Sequence, residues 1–253
     1  MGKFSNYIHD LNNYIDKNLS FNDPNNLYDP VKYILQNGGK RVRPLFTLFI
    51  SDLFSGKIDN ALPAAASIEI FHNFTLVHDD IMDNAIIRRG TNTINNKWNN
   101  NTAILSGDVM LILSYNLLSN YKDQTYIQLS KELNNTARLV CEGQQYDIDF
   151  SNQQNVQLDE YFKMIELKTA ELIACSFKFG GIVSEASETN IQNLYKIGKN
   201  MGIAFQLEDD YLDSFGESKD LGKKIGGDIL EKKKTLLYIL SKENLEGEDK
   251  DLF

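Results

Sequence analysis

The sequence predicts an all-α protein, a single-domain bundle of long helices, and three observations carry that prediction. Apolar residues recur at helical spacing in block after block, while strand signals are scarce. All four prolines (Pro24, Pro30, Pro44 and Pro63) fall in the first quarter, and the 190 residues after Pro63 contain none, as long helices allow. No Pro/Ser-rich linker, composition shift or repeat of solenoid period divides the chain, so one domain over residues 1–253 is expected.

Taken in order, the periodic blocks run over 3–18, 29–37, 43–54, 61–84, 101–120, 125–149, 158–180, 188–214 and 228–241. Their boundaries carry turn chemistry at Gly38-Gly39, Gly56, Gly90, Gly180-Gly181 and a loop over 215–227. The Asn-rich stretch from Asn92 to Asn101 is read as a loop.

Composition narrows the function classes. With 26 Lys and Arg against 35 Asp and Glu, the net charge of -9 argues against a nucleic-acid partner or an anionic membrane surface. Any polyanion must be bound locally, by placed cations or metals. Cys141 and Cys175 match no zinc or redox spacing and read as two core thiols in a reducing cytoplasm. The N-terminus has no apolar signal core, and runs such as Leu45 to Ile50 are too short to cross a bilayer. A cytoplasmic protein without membrane insertion is the expectation.

The chemistry sits in two acidic segments. Within FHNFTLVHDDIMDNAIIRRG, Asp79 and Asp83 are one helical turn apart, with Asp80 alongside, among apolar neighbours. Like charges at that spacing repel, so a cation is needed to compensate them. AFQLEDDYLDSFG repeats the spacing at Asp209, Asp210 and Asp213. Oxygen ligands on helices, without the 12-residue loop of an EF-hand, suit Mg²⁺, which keeps waters and takes other ligands from phosphates. Two such clusters facing each other across a cavity would hold a diphosphate through bridging metals. A single copy would read equally well as a solvated acidic patch; the identical spacing of two copies favours metal sites.

Basic residues accompany these clusters. Gly38-Gly39-Lys40-Arg41-Val42-Arg43-Pro44 sets three cations between a glycine turn and a helix opening, where they would face one anion or form a solvated loop of charge. Arg88 and Arg89 follow the first cluster by about one and a half helical turns, and their forks match phosphate oxygens. Lys168, Lys223, Lys224 and Lys233 add point charges, although Lys232-Lys233-Lys234 alone would read as a solvated face. His72 lies two turns before Asp79 on the same helix face, as a core hydrogen-bonder or a ligand.

The motifs GGKRVRP, HDDIMDNAIIRRG, Lys168-Thr169, FQLEDDYLD and GKKIGGDILEKKKT, in that order, resemble the motif series of the trans-isoprenyl diphosphate synthases, the farnesyl and geranylgeranyl diphosphate synthase family. The resemblance runs from about residue 31 to residue 240. It implies an isoprenoid synthase type fold, helices around a central cavity, and a homodimer. It implies that isopentenyl diphosphate is held by Lys40, Arg43, His72 and Arg89. The allylic diphosphate would be held by Arg88, Lys168, Lys223 and Lys233 and by three Mg²⁺ on both aspartate clusters. Thr169 and Gln206 match residues that line the reacting carbons.

Chain length follows from helix geometry. Thr75 and Phe71 precede Asp79 by four and eight residues and so lie roughly 6 and 12 Å down the same face, with Phe74 one step round. Thr75 stands where short-chain members place an aromatic, so a growing tail would pass it and meet Phe71 or Phe74. A C20 product is expected over C15. The chain stops 18 residues after Thr235, where the family continues through further helices that cover the pocket: the expectation is either that those helices are dispensable or that this is a truncated form. A class I terpene cyclase and a non-catalytic synthase subunit are the rival readings. Lys40 and Arg43 argue against the first and the retained aspartates against the second.

Overall fold

The computed structural model describes residues 2–21, 23–216 and 226–246. Most of the periodic blocks are helices: α1 (Lys3–Asn18), α2 (Asn25–Gln36), α3 (Val42–Ser55), α4 (Leu62–Met82), α5 (Ile94–Lys97), α6 (Asn100–Leu118), α7 (Asp123–Ser151), α8 (Leu158–Ile165), α9 (Glu171–Val183), α10 (Glu188–Phe215), α11 (Gly227–Leu230) and α12 (Leu236–Asn244). A 3₁₀ turn (Ile58–Ala61) precedes α4, and a π-helical turn (Glu166–Ala170) joins α8 to α9. The only sheet among the described residues pairs β1 (Ile87–Arg88) with β2 (Thr91–Asn92), antiparallel, with Arg88 opposite Thr91. No described helix is long and apolar enough to cross a membrane.

Three expectations need correction. The Asn-rich stretch is not all loop, because it contains α5 and runs into α6, which is capped by Asn99, whose side chain accepts the Thr102 N–H. The block 228–241 is two helices, because Lys232 takes a left-handed φ of 57° and Thr235 restarts the helix by accepting the Tyr238 N–H. Of the two supposed core thiols only Cys175 is buried; Cys141 is exposed on α7.

The chain forms two compact units, each of two stretches: residues 1–134 with 174–197, and residues 135–173 with 198–253. In the first, α4 is the central element. Its apolar residues surround it instead of forming one stripe, and Ala64, Ala65, Ala66, Ile68, Ile70 and Phe71 are all fully buried. Pro63 sits in its first turn, where a missing N–H costs nothing. Helices α3 and α9 approach closely at Gly180, where a Cβ would stand 2.7 Å from the Thr47 carbonyl oxygen. In the second unit, Phe150, Val156, Tyr161, Met164, Ile165 and Ile239 form the core.

Candidate active site

In the first unit the glycine turn, α4 and the β-hairpin bring the basic residues together. Arg41 begins α3 with a left-handed φ of 49°, a conformation that a non-glycine residue keeps only when it is held there. Its buried guanidinium donates to Glu69 Oε1 and to the Leu35 carbonyl. Asn73 Nδ2 donates to the same Glu69 oxygen at 2.6 Å. Arg41 is therefore committed to the interior, and the expectation of three cations facing one anion reduces to Lys40, which is exposed, and Arg43.

Arg43 Nη1 donates to His72 Nε2 at 3.2 Å. Guanidinium nitrogens only donate, so this His72 nitrogen accepts and the imidazole is neutral, with its proton on Nδ1. Burial, followed by the charges of Arg43, Arg89, Arg88 and Arg41, holds the His72 pKa well below the ordinary histidine range.

Arg88 and Arg89, beyond the end of the helical block, are carried on the hairpin. Helix α4 stops at Met82, and Asn84 turns left-handed at φ 50°. Thr93 Oγ1 then donates to the Ala85 carbonyl at 2.7 Å, and Asn95 Nδ2 donates to the Asp80 carbonyl at 3.3 Å. The hairpin turns through Arg89 and Gly90, both at positive φ (53° and 76°), as a two-residue loop requires. Arg89 Nη1 thereby reaches the Gly38 carbonyl at 2.6 Å. Gly39 has a φ of 123°, which favours glycine, and a Cβ there would stand 2.8 Å from the Arg89 Cζ and displace the guanidinium.

Asp80 is buried and Arg88 Nε donates to its Oδ1 at 2.7 Å. Its Oδ2 is buried without a hydrogen-bond partner among the described residues. Burial raises the Asp80 pKa, Arg88 opposes that, and the carboxylates of Asp79 and Asp83 add to it. An orphaned oxygen on a carboxylate disfavoured by its neighbours fits a bound divalent cation. Asp79 is half-buried and Asp83 exposed. Among the described residues no three His, Cys, Asp or Glu side chains gather closely enough to cage a metal alone.

His78, just before the cluster, lies against α6. Its Nε2 donates to the Ile104 carbonyl at 3.2 Å, and a Cβ on Gly107 would overlap its ring. Phe74 meets His78 and Phe71 edge to face, at 4.9 and 5.5 Å between ring centres. Phe71 is fully buried, and Thr75 Oγ1 bonds back to the His72 carbonyl at 2.8 Å.

In the second unit Lys168 and Thr169 lie on the π-turn, a device frequent at functional sites. The turn is pressed between Gly143 and Gly202. A Cβ on Gly143 would stand 2.7 Å from the Lys168 Cα, and one on Gly202 would stand 2.7 Å from the Ala170 Cβ. Gly202 thus serves internal packing. Lys168 Nζ pairs with Asp147 on α7, a partner that the sequence reading did not single out. Its only sequence signal is its place one helical turn after Gly143.

Thr169 Oγ1 donates to Gln206 Oε1 at 2.7 Å, and Gln206 Nε2 donates to Asp210 Oδ1 at 2.7 Å. Tyr161 Oη donates to Asp210 Oδ2 at 2.6 Å. Burial raises the pKa of Asp210, hydrogen bonds from Tyr161, Gln206 and the Leu236 backbone N–H oppose it, and the neighbouring Asp209 charge adds to it. Asp213 is fully buried and its Oδ2 accepts the Asp228 N–H at 3.0 Å, which ties down the start of α11. Asp209 is the most accessible of the three aspartates. Lys233 lies 2.8 Å from Glu231 Oε2 and 3.7 Å from Asp228 Oδ1. Lys223 and Lys224 fall outside the described residues.

The sequence profile of the polyprenyl synthetase family matches residues 24–253. The geranylgeranyl diphosphate synthase of Saccharolobus solfataricus is 38% identical over 95% of this chain and 74% of its own length. The geranylfarnesyl diphosphate synthase of Natronomonas pharaonis is 33% identical over 92% of this chain and 74% of its own. The crystal structure of geranylgeranyl pyrophosphate synthetase from Pyrococcus horikoshii superposes with a TM-score of 0.91 at 35% identity, covering 98% of this chain and 77% of that one. With the ordered motifs and the all-α architecture, these likenesses settle the lineage: the chain belongs to the polyprenyl synthetase family.

Proposed function

We propose that this chain condenses an allylic diphosphate with isopentenyl diphosphate, head to tail, and releases an all-trans C20 prenyl diphosphate and diphosphate. The observation that carries the reading is the cationic site of the first unit. Arg43 is held on neutral His72 by a hydrogen bond of 3.2 Å, and Arg89 on the Gly38 carbonyl, beside Lys40, by one of 2.6 Å. A diphosphate without a metal of its own is the anion suited to such a site, because guanidinium forks bind its oxygens in pairs.

Asp79, Asp80 and Asp83 would hold Mg²⁺ on the first cluster, and Asp209 and Asp213 on the second, where both oxygens of Asp210 already accept from Tyr161 and Gln206. Three ions would neutralise charge that develops on the leaving diphosphate. The protein would offer few oxygens to each ion, with water and phosphate completing the shell. Lys168, Lys233, Lys223 and Arg88 would supply further positive charge. The departing diphosphate keeps the electron pair of the broken C–O bond, the isopentenyl double bond attacks the allylic carbon, and a proton is lost. Thr169 and Gln206 offer oxygen dipoles to the positive carbon without trapping it, and a dry site protects it from water.

Phe71 and Phe74, the aromatic pair below Thr75, set the C20 limit. The relatives named for C20 and C25 products support this reading over C15. We infer a cytoplasmic homodimer from family membership; sedimentation gives the oligomeric state. The decisive experiment incubates the protein with Mg²⁺, isopentenyl diphosphate and each allylic primer, and separates products by chain length. Geranylgeranyl diphosphate is expected, and products of C30 or longer would rule out the Phe71 limit.

A further inference from the structure

Three hydrogen bonds in the second unit form one directed chain, and its direction is set at the end farthest from Thr169. Asp210 is a carboxylate, an acceptor only, and it receives Tyr161 Oη on one oxygen (2.6 Å) and Gln206 Nε2 on the other (2.7 Å). With its amide nitrogen held there, Gln206 must turn Oε1 toward Thr169, whose hydroxyl hydrogen it takes at 2.7 Å. Thr169 has one hydrogen to give. Once that hydrogen is committed, only oxygen lone pairs remain for anything else that the hydroxyl meets. Tyr161, Asp210 and Thr169 are 1%, 5% and 7% exposed, and Gln206 between them is half-buried.

We propose that Tyr161 is a positioning residue for this reaction: by fixing Asp210 it sets the polarity of the chain, so that Thr169 presents its negative dipole end to the positive allylic carbon. The inference rests on the prenyltransferase reading above. Tyr161 touches no substrate and acts through Asp210, Gln206 and Thr169. Without its hydroxyl, Asp210 loses its shortest donor and keeps only the Gln206 amide and the Leu236 backbone N–H. The carboxylate then turns, the Gln206 amide loses its fixed orientation, and the Thr169 hydrogen is free to point at the developing positive charge. The loss falls on the transition state, where the charge exists, and spares ground-state binding.

The test is a double-mutant cycle of Tyr161→Phe and Thr169→Val, with kcat and KM measured for both substrates and thermal unfolding followed in parallel. Tyr161→Phe is expected to lower kcat about tenfold, with each KM within about twofold. In the Thr169→Val background the same change is expected to have no further effect, while Thr169→Ser keeps the full sensitivity. An equal loss in both backgrounds, or a loss confined to KM, overturns the proposal. If the phenylalanine variant does not fold, Gln206→Leu cuts the chain one link nearer to Thr169 and is read in the same cycle. A wild-type protein inactive with every primer would defeat the prenyltransferase reading itself; an active wild type with an additive cycle defeats only the role of Tyr161.

Discussion

Gly143 lies so close beneath Lys168 that a Cβ built on it would stand 2.7 Å from the Lys168 Cα. The neighbouring atoms are backbone, which cannot swing aside as a flexible side chain would. Gly143→Ala is therefore expected to push the π-turn out of place and to cost about 1–3 kcal/mol of stability. Activity should fall by more than the loss of folded protein explains, as kcat normalised to folded fraction will show.

Asp147 anchors the Lys168 ammonium. Both groups are partly exposed, so Asp147→Asn should change stability by less than about 1 kcal/mol. The unanchored ammonium should instead raise KM for the allylic substrate about three- to tenfold, with KM for isopentenyl diphosphate unchanged. Steady-state kinetics with each substrate varied in turn separates the two.

His72 is neutral in the folded protein because burial and four arginines depress its pKa. In the unfolded chain it takes up a proton near its ordinary pKa of about 6.5. Between that value and the lower folded one, the unfolded state binds more protons, so stability is retained above about pH 6.5 and lost as pH falls below it. Urea unfolding at pH 7.5 and 5.5 should show this loss, and His72→Gln should flatten it.

The unpartnered Asp80 oxygen predicts a metal response. Mg²⁺ with inorganic diphosphate, at about a hundredfold excess over Kd, should stabilise the protein by about 2.7 kcal/mol, or roughly 5–10 °C in Tm. Asp80→Asn should remove most of that gain in a thermal melt with and without Mg²⁺.

Phe74 and Phe71 form an edge-to-face pair below Thr75. Phe74→Ala should lengthen the principal product beyond C20. Phe71→Ala should do so too, at a cost of about 3–5 kcal/mol for emptying a fully buried site. Product chromatography beside a melting curve checks both.

What was legible in the sequence follows from the range of the forces involved. Helix α4 and its aspartates could be read directly, because Pro63, the apolar spacing and the DD-x-x-D pattern are local signals. The hairpin that carries Arg88 and Arg89 could not, since two-residue strands leave no alternation to detect. Arg41 read as one more loop cation until Glu69, 28 residues away, was found to hold it inside. The π-turn and the Asp147 partner of Lys168 were equally hidden, because both arise where separate helices meet at Gly143 and Gly202. Residue types at the site were thus visible, whereas the supports that aim them were tertiary.

The bond from Arg89 to the Gly38 carbonyl spans 51 residues of chain. A peptide cut from either side of that bond would carry half of an anion site and bind nothing well. Occupancy by a diphosphate therefore favours the native form alone, and the supply of substrate in a cell would govern how long each molecule of this protein survives proteolysis.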